Sequence, residues 1–438
     1  MGNIVAKFGG SSLSDAGQFR KVREILRMDA RRVYVVPSAP GRRFDGDDKV
    51  TDLLYAVCRT KREGGDWQAV FLRVEDRYRE IARELALKLD LDVPLREIRR
   101  NVENGAGEDY CASRGEYLNG LLLSDYLGYY FVDPKDYIFF ASDGTFDSER
   151  TNTALSARLA DLPNAIIPGF YGSLPDGAIH TFSRGGSDIT GAIVARAACA
   201  DLYENWTDVS GFLMADPRIV KDALPIRSIT YRELRELSYM GATVLHEDSV
   251  FPVHRAGIPT NIRNTNHPEH DGTLITHQAD ETKNQFVISG IAGRIGFSII
   301  SIEKAMMNSE RGFGRRVLQA IEEAGLSFEH LPTGIDTLCV VLETCQLEPV
   351  KEQVVSRIME LSSPDTLTIH DDLGIIATVG RGMVHSPGTA ARLFSALSRE
   401  KVNVRMIDQG SSELSILVGV DACDFEASIR AIYHEFVR

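Results

Sequence analysis

Two stretches far apart in the chain hold residues that could do chemistry. Lys7-Phe8-Gly9-Gly10-Ser11-Ser12 places a lysine and a glycine pair where the apolar run Ile4-Val5-Ala6 ends. Phe182-Ser183-Arg184-Gly185-Gly186-Ser187-Asp188 carries a second glycine pair between an arginine and an aspartate. Glycine lets backbone N–H groups approach phosphate oxygens closely. A lysine beside such a turn neutralises charge on a group in transfer. An arginine ahead of a helix N-terminus can grip a carboxylate with two hydrogen bonds. Asp188 can orient Lys7, accept a proton or simply cap the helix that follows. Taken singly, each stretch reads equally well as a plain turn. As a pair they suit one molecule whose phosphates are gripped from two sides, which is phosphoryl transfer without a Walker loop. Ser113-Arg114-Gly115-Glu116 adds a carboxylate for a substrate ammonium group, or else is only the start of a surface helix. Trp206-Thr207-Asp208-Val209-Ser210-Gly211 ends a strand in a polar turn, followed by Asp216-Pro217-Arg218. Polar groups beyond the carboxyl end of a parallel strand are well placed for a nucleotide. His246 and His254 sit two turns apart with no evident third ligand, and no Ser/His/Asp or Cys/His arrangement emerges.

The elements that must hold these residues begin with a βαβ unit. Asn3 to Phe8 is an apolar strand. Asp15 to Met28 has Phe19, Val22, Ile25 and Leu26 at helical spacing, with Asp15 as a cap. Arg32 to Val36 is a buried strand stopped by Pro37. Strand, glycine turn, helix and strand imply a parallel sheet. The loop from Pro40 to Lys49 is polar and is expected to be mobile. Helices are expected over Val50 to Arg62, Val70 to Leu89, Asp188 to Ala200, Tyr231 to Tyr239 and Thr243 to Ala256. Ala141 to Thr151 reads as a polar turn, and Ala165-Ile166-Ile167 and Asp201 to Asp208 as strands. The polar, Gly272-broken segment Asp271 to Asn284 is the expected main boundary, giving domains 1–284 and 285–438. The tail repeats itself without gaps at an offset of 76 residues, Gly312–Leu342 against Gly388–Val418. Val317-Leu318-Gln319-Ala320-Ile321 matches Leu393-Phe394-Ser395-Ala396-Leu397, and Gly334 matches Gly410. A helix and strands in each copy predict two small α+β modules, about 285–370 and 371–438, with interleaving left open.

The chain has 438 residues, 43% hydrophobic and 25% charged, an ordinary globular composition that predicts two to four domains. A net charge of −13 argues against general nucleic-acid binding. Cys58, Cys111, Cys199, Cys339, Cys345 and Cys423 form no Cys-x-x-Cys pair, so neither a zinc site nor a disulfide framework is expected. A reducing cytoplasm is the natural setting. The N-terminus lacks the pattern of a signal peptide, and no apolar run nears the ~18 residues needed to cross a bilayer.

Assembled in order, these segments resemble the aspartate kinases. The carrying residues are Lys7 to Ser12, Val36-Pro37-Ser38-Ala39-Pro40-Gly41 with Val50-Thr51-Asp52, Ser113 to Glu116, and Phe182 to Asp188. Trp206 to Gly211 with Ala215-Asp216-Pro217-Arg218, Gly241-Ala242-Thr243-Val244-Leu245-His246, Asn403 to Ile407 and Ser411-Ser412-Glu413-Leu414 complete the set. The resemblance spans essentially the whole chain. It implies an α/β amino-acid kinase fold, a largely parallel sheet between helices, followed by two ferredoxin-like α+β ACT domains. It implies transfer of the γ-phosphoryl of ATP, carried with Mg2+, to the side-chain carboxylate of L-aspartate. The product, 4-phospho-L-aspartate, opens lysine, threonine and methionine biosynthesis. Lys7 and Asp188 would be catalytic. Lys7, Phe8, Gly9, Gly10, Ser11, Thr207, Asp208, Leu213, Arg218, Thr243 and Val244 would hold ATP. Ser38, Thr51, Glu116, Arg184, Gly185, Gly186 and Ser187 would hold aspartate, with Arg184 on its carboxylate and Glu116 on its ammonium. No metal site of the protein's own is implied, Mg2+ arriving through ATP.

The resemblance also implies a regulatory amino acid, lysine and/or threonine, at Met307, Gly312, Ser327, Phe328, Glu329 and Thr333. It implies a homodimer or larger homo-oligomer, with neither nucleic acid nor membrane as partner. Ser11 stands where threonine is usual, Leu213 where tyrosine is frequent, and Thr243 where a lysine often contacts the nucleotide. Two rivals differ in class. One is a glutamate 5-kinase or acetylglutamate kinase, against which the tail repeats and Trp206-Thr207-Asp208 speak. The other is a catalytically silent amino-acid sensor, against which the intact lysine, arginine and aspartate set speaks.

Overall fold

The computed structural model describes residues 2–183, 185–242, 251–278 and 286–437. The chain divides into two compact units. The first comprises Met1–Phe212, Pro225–Tyr231 and Val244–Ala279. The second comprises Leu213–Leu224, Arg232–Thr243 and Asp280–Arg438.

In the first unit, β1 (Ile4–Phe8), α1 (Ala16–Met28) and β2 (Arg32–Pro37) form the expected parallel βαβ. Asp15 caps α1 by accepting from the Gln18 N–H, the geometry that satisfies an orphan donor at a helix start. Four helices follow: α2 (Val50–Arg62), α3 (Trp67–Glu84), α4 (Asp92–Glu103) and α5 (Glu108–Leu127). Next come β3 (Tyr130–Phe131), α6 (Ser148–Ala160), β4 (Ala165–Ile166), the hairpin β5 (Tyr171–Ser173) with β6 (Ile179–Thr181), α7 (Gly186–Ala197) and β7 (Leu202–Thr207). The chain continues through β8 (Ser228–Thr230), α8 (Tyr231–Tyr239, all but its first residue in the second unit), α9 (Phe251–Ala256), β9 (Thr260–Asn264) and β10 (Thr273–Thr276). The eight-stranded sheet has the order β3-β4-β2-β1-β7-β9-β10-β8, and only its β9–β10 pair is antiparallel.

Strand alternation sorts the side chains. Ala6 and Phe8 join the apolar core built with α1 to α5, whereas Lys7 points to the face covered by α7, which packs on β1, β2 and β7. The Pro40–Lys49 loop is held by Asp47, which pairs with Arg43 at 3.0 Å and with buried Arg77 at 2.6 Å.

Several expectations need correcting. The helix placed at Val70–Leu89 runs Trp67–Glu84, and the polar turn expected over Ala141–Thr151 turns helical at Ser148. The Ser113–Glu116 cluster is not a surface helix start. It lies inside α5 and all four residues are buried. This helix is covered on most sides, so it lacks the apolar stripe by which helices are recognised. Of the helix expected over Thr243–Ala256, residues 243–250, His246 among them, lie outside the described residues.

The second unit has one antiparallel sheet, ordered β12-β11-β13-β15-β14. Its elements are β11 (Gly290–Glu303), α10 (Phe313–Glu323), β12 (Thr337–Glu343), α11 (Thr344–Leu347), α12 (Lys351–Ser362), β13 (Thr366–Val379), α13 (Thr389–Arg399), β14 (Val404–Asp408), β15 (Ser415–Asp421) and α14 (Phe425–Val437). The two long strands pair with each other along their length, with register shifts near Gly296, whose φ is 96°. A bulge of this kind divides a strand between two bodies. The later half of β11 joins β12, α10, α12 and the start of β13, with an edge at His330 and Thr333. The later half of β13 joins β14, β15, α13, α14 and Gly290–Ile295 of β11. Each module is βαββαβ, and the second takes its fourth strand from residues that precede the first. Helices α10 and α13 lie at the 76-residue offset.

The upstream segments are bound within this unit. The Leu224 N–H donates to the Tyr433 hydroxyl at 2.9 Å and the Ile291 N–H to the Met214 carbonyl at 2.7 Å. Fully buried Glu233 accepts from Ser289 at 2.5 Å and from the Arg381 side chain at 3.0 Å.

Candidate active site

The site grows from the carboxyl ends of parallel strands β1, β2 and β7. Register places Lys7 beside Asn205 on neighbouring strands. Their side chains meet the first turn of α7, where Lys7 Nζ lies 2.6 Å from Asp188 Oδ1. Asn205 closes the triangle, donating from Nδ2 to Asp188 Oδ1 at 2.7 Å and accepting from Lys7 Nζ at 3.4 Å. Tyr203, one pleat back on β7, donates its hydroxyl to the Asp188 carbonyl at 3.1 Å. Lys7 and Asn205 are buried while Asp188 keeps a fifth of its side chain accessible. The cation is thus pinned at the mouth with a carboxylate at its side.

Glycines bring the surrounding backbone within reach. Gly9 donates its N–H to the Trp206 carbonyl at 2.9 Å, joining the first turn to β7. Gly10 and Gly41 pack backbone on backbone: the Gly41 N–H donates to the Gly10 carbonyl at 2.8 Å, and a Cβ on Gly10 would lie 2.9 Å from the Ala39 carbonyl. Gly115 does the same for α5, where a Cβ would lie 2.7 Å from Cβ of Ala39. The Lys7 turn, the Ser38–Gly41 loop and α5 therefore share one crowded junction. Gly185, at φ 76°, turns the chain into α7. A Cβ on Gly186 would strike the Phe170 ring at 2.5 Å and one on Gly169 would strike Ser187 at 2.7 Å. Residue Arg184 lies outside the described residues.

Glu116 stands in the same junction on the α5 side. It is 5% exposed and its Oε2 has no hydrogen-bond partner. Burial pushes its carboxyl up to about 8, against the opposing pull of the Ala39 backbone N–H and of the Arg114 and Lys7 charges. An unsatisfied buried carboxyl is costly, and a ligand ammonium would relieve it. Asn119, one helical turn on, donates to the Ser38 carbonyl at 2.6 Å. Thr51 lies in the first turn of α2, whose Val50 N–H donates to the Pro40 carbonyl at 3.2 Å.

On the other flank, the Thr265 N–H donates to the Thr207 carbonyl at 2.8 Å, and the Ser12 and Thr265 hydroxyls lie 2.7 Å apart. The exposed Asp208 carboxylate extends beyond β7 and accepts from the Thr207 hydroxyl at 3.2 Å. Lys7, Phe8, Gly9, Gly10, Ser11, Ser38, Thr51, Glu116, Gly185 to Asp188, Thr207 and Asp208 all belong to the first unit. Leu213 and Arg218 belong to the second, and Arg218 is paired with Asp216 at 2.6 Å. Thr243 and Val244 lie outside the described residues. Sequence reasoning missed Asn205, Tyr203 and Asn119. The available signal was a Glu-Asn pair inside an otherwise apolar strand.

The residues expected to meet a regulatory amino acid fall in the first module of the second unit. Met307 is buried in its core, Gly312 caps α10 with φ 77°, and Glu329 accepts from the Tyr239 hydroxyl at 2.6 Å. Phe328 is half exposed. Ser327 precedes the module's edge, where Thr333 bridges to Leu338.

A lysine–carboxylate pair thus lies between two glycine turns at the carboxyl edge of a parallel sheet, an arrangement suited to phosphate groups without a Walker loop. Residues 3–264 match the amino acid kinase family and residues 376–436 match an ACT domain. Aspartokinase 3 of Bacillus subtilis (strain 168) is 40% identical over 99% of this chain and 98% of its own length. The Lysine-sensitive aspartokinase 3 of Escherichia coli (strain K12) is 27% identical over 98% of each. Among solved structures, the aspartate kinase of Clostridium acetobutylicum superposes with a TM-score of 0.91 at 48% identity over 100% of both chains. Aspartokinase III of E. coli with aspartate and ADP gives a TM-score of 0.73 at 25% identity over 99% of both. The chain belongs to the amino acid kinase family, and within it to the aspartate kinases.

Proposed function

We propose that Lys7 and Asp188 form the centre at which the γ-phosphoryl of ATP passes to the side-chain carboxylate of L-aspartate. The observation that carries this is the 2.6 Å Lys7–Asp188 pair, locked by Asn205 and flanked by two glycine turns. The attacking carboxylate is already ionised at neutral pH, so no strong base is required. Positioning and charge neutralisation then supply the rate. Lys7 and the Gly9–Gly10 turn meet the β- and γ-phosphates, with Phe8 and Ser11 shaping the turn. Asp188 holds Lys7 in line. Thr207 and Asp208 edge the nucleotide. The donor set suits Mg2+ carried on nucleotide phosphates, because Asp188 is already engaged and Mg2+ commonly takes few protein ligands. When bound, the ion draws charge from the phosphate oxygens.

Glu116 takes the aspartate ammonium, Arg184 its carboxylate, and Ser38, Thr51 and Gly185 to Ser187 shape the rest. An ammonium beside Glu116 restores the carboxylate that burial suppresses. The second unit senses an end-product amino acid, lysine and/or threonine. Met307, Gly312, Ser327, Phe328, Glu329 and Thr333 line that site. E. coli aspartokinase III solved with lysine and aspartate in a T-state supports this reading. So does the exposed Ile407, in the edge strand β14, for a homodimer or larger assembly. Among the described residues no helix is long and apolar enough to cross a membrane.

The test is a hydroxylamine trap for acyl phosphate, run with ATP and in turn aspartate, glutamate and acetylglutamate. Aspartate alone should give hydroxamate. Turnover of glutamate or acetylglutamate instead would overturn the substrate assignment, and no turnover with any would favour a silent sensor. Titration with lysine, threonine and methionine, singly and paired, identifies the effector.

A further inference from the structure

A surface cavity of about 800 Å3 opens among α4, the start of α5 and the β5–β6 hairpin, and neither Lys7, Glu116 nor Asp188 lines it. Arg114 does. This residue is 6% exposed, and its guanidinium lies over the rings of Tyr110, Tyr117 and Tyr171 at 4.7, 4.5 and 5.2 Å. The rings cover the faces of the cation but cannot accept its in-plane N–H bonds. Nε and Nη2 share a single acceptor, the Ser113 hydroxyl, at 3.1 and 3.0 Å. Among the described residues no carboxylate comes within ion-pair distance of Arg114. Of its five N–H donors only those two have a protein acceptor among the described residues, and the cavity it lines is where a further acceptor can come from.

The charges around the cavity decide what that acceptor belongs to. Lys135, Glu97, Glu108, Asp109 and Asp133 line it as well. Glu108 is paired with Arg62, and Asp109 accepts from Thr181 and lies against His180, each at 2.8 Å. Asp133 accepts the Tyr171 hydroxyl at 2.9 Å and lies 3.7 Å from the Lys135 ammonium, leaving Glu97 as the free charge. Exposed Glu97 makes neither a hydrogen bond nor an ion pair with any described residue. A simple anion would satisfy Arg114 but meet these carboxylates. A simple cation would leave Arg114 unmatched. A molecule with a carboxylate at one end and an ammonium near it satisfies both. We propose that this cavity is a binding site for a free α-amino acid, its carboxylate on Arg114 and its ammonium towards Glu97 and Asp133.

The test is hydrogen–deuterium exchange of the full chain with each common L-amino acid singly, and with its N-acetyl derivative. Peptides covering 94–110 and 131–137 are read because they exclude Glu116 and the transfer centre. At least one amino acid should slow exchange in both peptides, its N-acetyl form should do so less, and Arg114→Met should remove the effect. Glu97→Gln, on an exposed helix face, should keep the fold and erase the preference for the free amino group. That variant decides the matter even if Arg114→Met fails to fold. No protection by any amino acid, protection unchanged in Arg114→Met, or equal protection by chloride or inorganic phosphate would overturn the proposal.

Discussion

Lys7 could stand as an exposed lysine on any βα turn, and what makes it useful is the company that fixes it. Asn205 touches both Lys7 and Asp188, so it acts as a positioning residue. Asn205→Leu should lower kcat about 10-fold or more, the loss expected for a hydrogen bond to a charged group, with KM for aspartate little changed. Asn205→Asp adds a second carboxylate beside Asp188 and should displace the pH–rate profile, which a purely structural role would leave in place. Glu116 makes a prediction with a defined sign. Its carboxyl is raised to about 8 in the unliganded fold from an ordinary 4.5. The folded state therefore binds this proton more tightly than the unfolded state, so its stability contribution is full below the ordinary value and is lost as pH rises through about 8. Glu116→Gln should melt higher than the wild type above that pH. Aspartate needs the ionised form, so KM for aspartate should fall as pH approaches 8 from below. A flat KM across that range would remove Glu116 from the ammonium site. Lys7, Glu116 and Asp188 were legible as charges beside glycines. Asn205 was not, because its role depends on strand register, which residue types do not reveal.

Helices and strands carry the same lesson at the next scale. The βαβ unit, its cap and the tail repeat could be read because each has a simple period. The helix α5 could not, since it is buried along much of its length, and a glycine and two charges inside it look like an interruption. Gly115 is there because the Ala39 loop leaves no room for a Cβ. Gly10→Ala tests the crowding at the phosphate turn. Its new Cβ would press on backbone rather than on a side chain that can swing away, and should cost about 1–3 kcal/mol of stability. KM for ATP should rise with it, and a variant with unaltered melting and KM would show the turn to be looser than described. The interleaving of the two βαββαβ modules stayed open in the sequence. A repeat reports which segments are alike, while the strand exchanged at Gly290–Ile295 falls outside the repeat altogether.

Over the whole molecule, chain order and spatial unit do not coincide. Segments 213–224 and 232–243, both upstream of the expected boundary, belong to the second unit. The sequence could not show this, because the ties are single hydrogen bonds such as Tyr433 to Leu224 and a buried Glu233 held by Ser289 and Arg381. A chain ending at residue 278 keeps those segments and loses their partners. It should unfold without a sharp transition or aggregate, as seen by circular dichroism and light scattering. A well-folded, active fragment would contradict the division. The most direct test of the central claim is aspartyl-hydroxamate formation by Lys7→Met and Asp188→Asn, each checked for native circular dichroism. The account predicts a loss of at least about 100-fold in kcat for both, the scale of removing one charge-stabilising group from a preorganised site. Turnover within a few-fold of wild type in either folded variant would contradict it.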